Sequence, residues 1–406
     1  MLENKTILLG VTGGIAAYKT ADLASLMAKA GARVKVVMTA SATEFISPLV
    51  FSSLTGNGVA TSMFAAPEKP DISHISMAGE TDVVVIAPAT ANIIAKLAAG
   101  LADDILSATV LATTAPVIIA PSMHHNMYTN AATQENIRKL KSRGFILVEP
   151  ETGRLASGDI GTGRLPAPEK LLAVVEQVLG RDGDLAGRHI VVTAGGTREP
   201  IDPVRFISNR SSGKMGYALA EAARNRGAEV TLITAAALPE PFGVELVPVD
   251  TAEDMRAAVG KALVKADALI MAAAVADFRP KAVALNKIKK ETASLSLELV
   301  GTPDILDEAR GKFIRVGFAA ESGDLLANAR KKLAAKQLDI IVANDITDPA
   351  STFGADTNKV TIIGRDGKEE SLPALPKPVV ADKILDRVVG LLGGKAKIRR
   401  QSKLAN

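Results

Sequence analysis

The residues Thr6-Ile7-Leu8-Leu9-Gly10-Val11 are apolar almost throughout, with no polar alternation, and read as a strand buried on both faces. A glycine-interrupted turn, Thr12-Gly13-Gly14-Ile15-Ala16-Ala17, leads into helical spacing that runs through Met27. Gly31-Ala32 ends that helix, and Val34 to Met38 forms the next strand, completing a βαβ unit. The arrangement returns in the second half. There the strand His189–Thr193 is followed by a glycine loop, the amphipathic run Tyr217 to Arg226, Gly227-Ala228, and the strand Val230–Thr234. Further parallel strands are expected at Val83–Ala87, Val117–Ala120, Ala268–Met271, Val316–Ala319 and Ile340–Ala343. Val360–Ile363 and the turn GRDGKEE predict a late hairpin. A polar Gly/Asp cluster, Gly180-Arg181-Asp182-Gly183-Asp184, follows the predicted helix Glu169–Leu179 and marks a domain boundary. The pattern therefore predicts two α/β domains, 1–182 and 183–394, with a basic tail at 395–406 expected to be disordered.

One connection is too long for its structural task. About twenty residues, Gly195 to Gly216, separate a strand from its helix, where a few residues normally suffice. Ser211-Ser212-Gly213 falls at the expected helix N-terminus, where free N–H groups favour an anion. Arg205 and Arg210 add positive charge, and Asn209 adds an amide that both donates and accepts. These features read as a phosphate- or carboxylate-binding loop. In the first half, Gly13-Gly14 allows a close backbone approach to a phosphate, although such a pair is common in any tight βα turn. Thr39 and Ser41, just past the second strand, add hydroxyls at the same edge.

Composition narrows the class. Of 406 residues 47% are hydrophobic, yet only 3% are aromatic, so the core must be aliphatic. A net charge of +4 suits phosphorylated small ligands and supplies no basic stripe for nucleic acid. No secretory pattern and no membrane-length apolar run is present, and the chain has no cysteine. Disulfides and thiolate metal sites are thereby excluded, and a cytoplasmic protein without membrane or nucleic-acid partners is expected. Four histidines remain. His189 opens a strand and reads as structural. His74 precedes a predicted helix, where position alone leaves surface, core and catalytic roles open. His124 and His125 lie past the carboxyl end of a buried strand, the ligand-binding edge of such sheets, but adjacent side chains diverge and no third metal ligand is placed.

At these motifs the chain resembles the bacterial bifunctional phosphopantothenoylcysteine decarboxylase/phosphopantothenate–cysteine ligase family of coenzyme A biosynthesis. The resemblance runs from the Gly10 turn to about Lys383. Carrying it are ISHI around His74, APATANIIAKLAAGLADD from Ala87, the segment at Pro121, and GDIGTGR from Gly158. The long loop, AAAVADFRP from Ala272, KIKK from Lys287 and VGFAAE from Val316 complete the series in the family's order. It implies a flavodoxin-like FMN-binding domain followed by a Rossmann-like nucleotide-binding ligase domain. In the first, the substrate thiol is oxidised to a thioaldehyde, carbon dioxide leaves, and hydride returns to give 4′-phosphopantetheine. His74 matches the active-site histidine, and Gly13, Gly14, Thr39, Ser41, Ser107 and Thr109 match positions lining FMN. In the second, the carboxylate of 4′-phosphopantothenate attacks the α-phosphate of CTP. L-cysteine then displaces CMP from the acyl-cytidylate. Lys287 matches a nucleotide-contacting lysine, and Asn209 a residue that carries the acyl-cytidylate onward by polarising its carbonyl. Met271, Ala272, Ala273, Asp277, Pro303, Asp304, Ile305, Leu306, Phe318, Lys332 and Lys336 match CTP-binding positions. The i, i+4 pair Lys332/Lys336 would by itself be a solvated helix face. Arg205, Arg210, Ser211, Ser212 and Gly213 are assigned to substrate, and Mg²⁺ is expected with CTP, Asp277 being its candidate ligand. The resemblance also implies a large homo-oligomer, with a trimer-based decarboxylase core and dimeric ligase halves.

Two positions depart from the family. Its PxMN motif reads Pro121-Ser122-Met123-His124 here, and its lid motif A-C-G-D reads Ala156-Ser157-Gly158-Asp159. A hydroxyl is a far weaker acid than a thiol of pKa about 8.5. The expectation is a substitute proton donor, His124. The alternative is a first half retained as a binding or regulatory flavoprotein. A generic NAD(P) oxidoreductase is disfavoured, because neither glycine loop spells G-x-G-x-x-G with the acid that should follow.

Overall fold

The computed structural model describes residues 2–64, 73–289, 295–321, 324–345 and 354–393. The tail 395–406 and Lys290 of the KIKK motif lie outside them. The chain separates into two compact units, Met1–Leu179 and Gly180–Asn406.

In the first unit, β1 (Thr6–Val11), β2 (Arg33–Met38), β3 (Val59–Ala60), β4 (Val83–Ala89), β5 (Val117–Pro121) and β6 (Ile146–Leu147) form one sheet. Their order is β3-β2-β1-β4-β5-β6, and all neighbours are parallel. Setting aside the two-residue edge β3, this is the flavodoxin-like order. Parallel sheets carry helices on both faces, which explains the unbroken apolar runs: all seven residues of β4 are buried. Along β1, Ile7 and Leu9 enter the cluster that holds Leu23 and Met27 of the helix Ala17–Lys29. Leu8 enters the opposite cluster with Ile93, Leu106 and Ile137. Each such aliphatic side chain contributes roughly 1.5–3 kcal/mol by leaving water.

An antiparallel hairpin of β7 (Glu151–Arg154) and β8 (Ile160–Arg164) was not expected from the sequence. Its strands, ETGR and IGTGR, are glycine-rich and lack the β-branched signal. His74 also differs from expectation, lying within the helix Ser73–Gly79 and not before it.

The second unit is built on eight strands. These are β9 (His189–Ala194), β12 (Glu229–Thr234), β13 (Glu245–Pro248), β14 (Ala268–Met271), β17 (Ile314–Glu321), β18 (Ile340–Asp345), β20 (Val360–Gly364) and β21 (Glu369–Ser371). The order is β13-β12-β9-β14-β17-β18-β20-β21; the first six are mutually parallel and the last two antiparallel. The predicted late hairpin is β20–β21. Three small pairs complete the unit: β10 (Arg198–Pro200) with β11 (Phe206–Ser208), β15 (Phe278–Pro280) with β16 (Leu299–Gly301), and β19 (Thr357–Asn358) with β22 (Leu375–Pro376). The long loop after β9 is thus partly a hairpin of its own. It leaves the strand through Gly195, at φ +84°, and enters the helix Lys214–Asn225 through Gly213, at φ +80°. Both angles are left-handed, where a Cβ is strained.

That helix rests very closely on β9. A Cβ added at Gly216 would stand 2.5 Å from Cβ of Ala194 and 2.8 Å from the Thr193 carbonyl oxygen. Gly216→Ala gains about 1 kcal/mol of helix propensity and loses about 1–3 kcal/mol by overpacking. The expected outcome is a lower urea midpoint; a midpoint at or above wild type would show that the helix has room to move.

Candidate active sites

In the first unit the strand order reverses between β1 and β4, and in open sheets of this kind ligands bind outside the strands' carboxyl ends at such a reversal. Thr12 ties the two loops together. Its hydroxyl donates to the Pro88 carbonyl at 2.6 Å and accepts from the Thr90 amide at 3.1 Å. Gly13 lies against the segment after β2: a Cβ there would meet Cβ of Ser41 at 2.4 Å and its carbonyl carbon at 2.9 Å. Thr39 Oγ1 is buried with no partner among the described residues. Gly13 thus packs on Ser41, two residues past the unpartnered Thr39 hydroxyl, a combination that fits a phosphate, whereas Gly14 faces Pro88 and Thr90. Ser107 and Thr109 are wholly buried. Their hydroxyls bond within their own helix, Ser107 to Asp104 at 3.0 Å and Thr109 to the Ile105 carbonyl at 2.6 Å. Neither offers a free donor.

The β7–β8 hairpin brings the lid motif to His124. Met123 N–H donates to the Gly163 carbonyl at 3.0 Å, and Gly163 has no space for a Cβ, which would fall 2.0 Å from the Met123 carbonyl oxygen. At the hairpin's tip, His124 Nε2 and Ser157 Oγ each stand 3.0 Å from the same oxygen, Oδ2 of Asp159. The Asn126 amide donates to His124 Nδ1 at 3.2 Å, so Nε2 carries the proton that faces Asp159. The bonds from His124 and then Ser157 hold the Asp159 carboxyl below its ordinary range. The two residues that depart from the family pattern thus meet on one carboxylate. His74, half-buried in its helix, shares no hydrogen bond with this group among the described residues.

In the second unit a cavity of about 620 Å³ opens at the β9/β14 reversal. Asn209 to Gly213, Met271 to Ala273, Asp277, Pro303 to Leu306, Phe318, Lys332 and Lys336 all line it. The Asn209 Nδ2 group donates to the carbonyls of Ala274 and Val275, at 3.2 and 3.1 Å. Both amide hydrogens are thereby engaged, so the side chain presents its oxygen, an acceptor, and not the donor that would polarise a carbonyl. Lys332 donates to the Phe318 carbonyl at 2.8 Å. Lys336 is paired with Asp304 and, at 2.7 Å, with Asp307, so it is not the solvated face its spacing predicts. No cluster of three or more His, Asp or Glu able to hold a metal occurs among the described residues.

The model of the DNA/pantothenate metabolism flavoprotein C-terminal domain matches residues 185–391, and the Flavoprotein model matches residues 1–180. The coenzyme A biosynthesis bifunctional protein CoaBC of Bacillus subtilis (strain 168) is 49% identical over 398 residues, which cover 96% of this chain and 98% of that protein. The chain belongs to the family of coenzyme A biosynthesis bifunctional proteins. A second family member, CoaBC of Mycobacterium tuberculosis (strain ATCC 25618 / H37Rv), is 44% identical over 410 residues, covering 96% of this chain and 97% of that protein. Among solved structures, the C-terminal domain of coenzyme A biosynthesis bifunctional protein CoaBC aligns at 43% identity and a TM-score of 0.45, covering 52% of this chain and 98% of that one. As a family member the chain is a bifunctional enzyme, with a flavoprotein decarboxylase half and a ligase half. Among the described residues, no helix is long and apolar enough to cross a membrane.

Two expected ligase residues stand off the cavity wall, Arg205 and Lys287. Asp202 explains the placement of Arg205. Its buried carboxylate accepts from the amides of Val204 and Arg205, both at 2.9 Å, from Arg205 Nε at 3.0 Å and from the Ile288 amide at 3.1 Å. Arg205 donates in turn to the Ile288 carbonyl at 2.9 Å. Arg205 is therefore part of a clip that fastens the β10–β11 turn to the KIKK segment. Sequence reasoning missed Asp202, and also the cavity residues Lys214, Asn344, Asn358 and Lys377. Asp202 and Lys214 fall within the long loop after β9 and Asp159 ends the lid motif, whereas Asn344, Asn358 and Lys377 lie outside every such motif.

The Arg205 bond, followed by the bonds from backbone amides, holds the Asp202 carboxyl well below the usual carboxylate range. A depressed folded pKa gives stability that is fully present above the unfolded value of about 3.9 and lost as pH falls further. Asp202→Asn is expected to lower the urea midpoint at pH 7, with the gap to wild type closing as pH drops below about 4. A gap independent of pH would show that the carboxylate's charge plays no part in the clip.

Proposed function

We propose that the chain performs two consecutive steps. The second unit joins L-cysteine to 4′-phosphopantothenate at the expense of CTP, and the first unit converts the resulting 4′-phosphopantothenoylcysteine to 4′-phosphopantetheine. The ligase reading is supported by the cavity at the β9/β14 reversal, lined by cations and by the N-terminus of the helix Lys214–Asn225. In that reaction a carboxylate oxygen bonds to the α-phosphorus while the bond to pyrophosphate breaks. The cysteine nitrogen then bonds to the acyl carbon, CMP leaves, and one proton is released. Positioning and charge stabilisation carry such chemistry. An acceptor at Asn209 suits an N–H of the attacking amine. Mg²⁺ would arrive with the triphosphate, held mainly by phosphate oxygens and at most by Asp277 from the protein.

The decarboxylase reading rests on one observation: a protonated imidazole nitrogen and a hydroxyl, both 3.0 Å from a single carboxylate oxygen. His124 and Ser157 are thus already arranged to bind a carboxylate, and the substrate's own would take the place of Asp159. Gly13, Gly14, Thr39 and Ser41 would hold the FMN phosphate. When bound, FMN supplies a reversible hydride acceptor for the thiol-bearing carbon. His124 then stands as the proton source that the cysteine-free lid lacks, and His74 as a second exchangeable proton site. Ile15, Tyr18, Phe45 and Leu49, between 50% and 70% exposed, support self-association through the first unit. A homo-oligomer, located in the cytoplasm, belongs to the same reading.

Carbon dioxide release from 4′-phosphopantothenoylcysteine tests this proposal. His124→Ala is expected to lower it about 10²–10⁴-fold, the usual range for loss of a proton-transfer group. Unchanged turnover in that variant removes His124 from the mechanism. Wild-type protein that ligates cysteine with CTP but releases no carbon dioxide would make the first unit a binding or regulatory flavoprotein.

A further inference from the structure

Five cationic side chains line the ligase cavity, Arg210, Lys214, Lys332, Lys336 and Lys377, against two carboxylates, Asp277 and Asp304. Lys336 is neutralised by Asp304 and Asp307. Lys214 and Lys377 are held differently. Each is the first residue of a long helix, Lys214–Asn225 and Lys377–Leu391, where free backbone N–H groups add positive potential. Lys214 Nζ donates to the Gly354 carbonyl at 2.9 Å and to Asp356 at 2.6 Å, but that carboxylate is 89% exposed. Lys377 is only 8% exposed and donates to the Ala355 carbonyl. No carboxylate among the described residues is in salt-bridge contact with it. Burial, and then the charge of Lys214, push the Lys377 ammonium below its ordinary pKa.

Burying an ammonium against a carbonyl is costly, several kcal/mol before compensation. The fold places this charge beside a second lysine and lines the same cavity with two further buried polar side chains, Asn344 and Asn358. A buried lysine with only a carbonyl partner, set beside a second, partly exposed lysine whose carboxylate partner is itself 89% exposed, is a poor structural device and a good anion site.

We infer that Lys214 and Lys377 form a subsite for the two terminal phosphates of CTP, and so for the departing pyrophosphate. The inference rests on the ligase reading above. As the carboxylate oxygen bonds to the α-phosphorus, the electron pair of the breaking P–O bond passes to the pyrophosphate oxygen, and no proton moves. Fixed cations at that end stabilise the charge as it develops. Of the three substrates the triphosphate carries the highest charge, which matches two ammonium groups better than a single phosphate or carboxylate does.

Calorimetric titration of the full chain with inorganic pyrophosphate, CMP, CTP and 4′-phosphopantothenate tests the assignment, in wild type, Lys214→Met, Lys377→Met and Lys377→Arg. The expected result is loss of pyrophosphate binding in both Met variants. The affinity advantage of CTP over CMP should also fall about tenfold or more, about 1.4 kcal/mol, in those variants. CMP and 4′-phosphopantothenate affinities should stay at wild type, which also shows that the variants are folded, and Lys377→Arg should recover pyrophosphate binding. Equal losses for CMP and CTP, unchanged CTP binding, or a loss confined to 4′-phosphopantothenate would each overturn the subsite. Wild-type protein that binds pyrophosphate through these lysines but takes no cytidine nucleotide would overturn the nucleotide reading and uphold the lysine pair as a polyphosphate site.

Discussion

The constraint on which both units depend is the handedness of parallel strand connections. Each crossover must leave the carboxyl end of a strand, and where the strand order reverses, successive loops turn away from each other. A crevice is left at that edge. In the first unit it lies between β1 and β4, in the second between β9 and β14. Three candidate ligand-binding segments follow from this placement: the Gly13-Gly14 turn, the loop after β9, and the Ala272–Asp277 segment leaving β14. The close approaches at Gly13 and Gly216 are the local conditions that let these turns sit against their strands.

Both units also share a way of holding charge. Donors suited to anionic ligands are satisfied by internal acceptors: His124 and Ser157 by Asp159, Arg205 by Asp202, Lys336 by Asp304 and Asp307, Lys214 and Lys377 by carbonyls of the 354–355 turn. Leaving such groups unpaired would cost the full desolvation penalty, so the fold supplies partners. These partners differ in grip. Asp202 is buried and accepts from two elements, which makes its contact a structural clip. Asp159 and Asp356 have side chains 65% and 89% exposed, so a ligand carboxylate or phosphate competes with them at small cost.

The first unit shows how a substituted motif retains chemical sense. The resemblance implies asparagine and cysteine at the two positions occupied here by His124 and Ser157. The two side chains meet on one carboxylate oxygen, so both present donors to the same point. Under the proposed function, proton exchange would fall to the imidazole, the side-chain type whose unperturbed pKa lies near neutrality.

What the sequence determined by itself was local and periodic. Continuous aliphatic runs marked the parallel strands, glycine turns marked the crevice edges, and motif order identified the family and most of the cavity wall. Those signals are legible because burial on both faces and left-handed turns restrict residue type at each position. Tertiary structure alone decided the long-range pairings. Nothing near Asp202 in the chain announces Ile288 as its partner, and nothing in the glycine-rich β7–β8 segment predicts that it carries Ser157 to His124. Lys377 carried no signal in the sequence, and it is the fold that buries it beside Lys214, far away in the chain. Side-chain charge has no periodicity that reveals its eventual neighbour; only the packed chain brings such residues within a few ångströms.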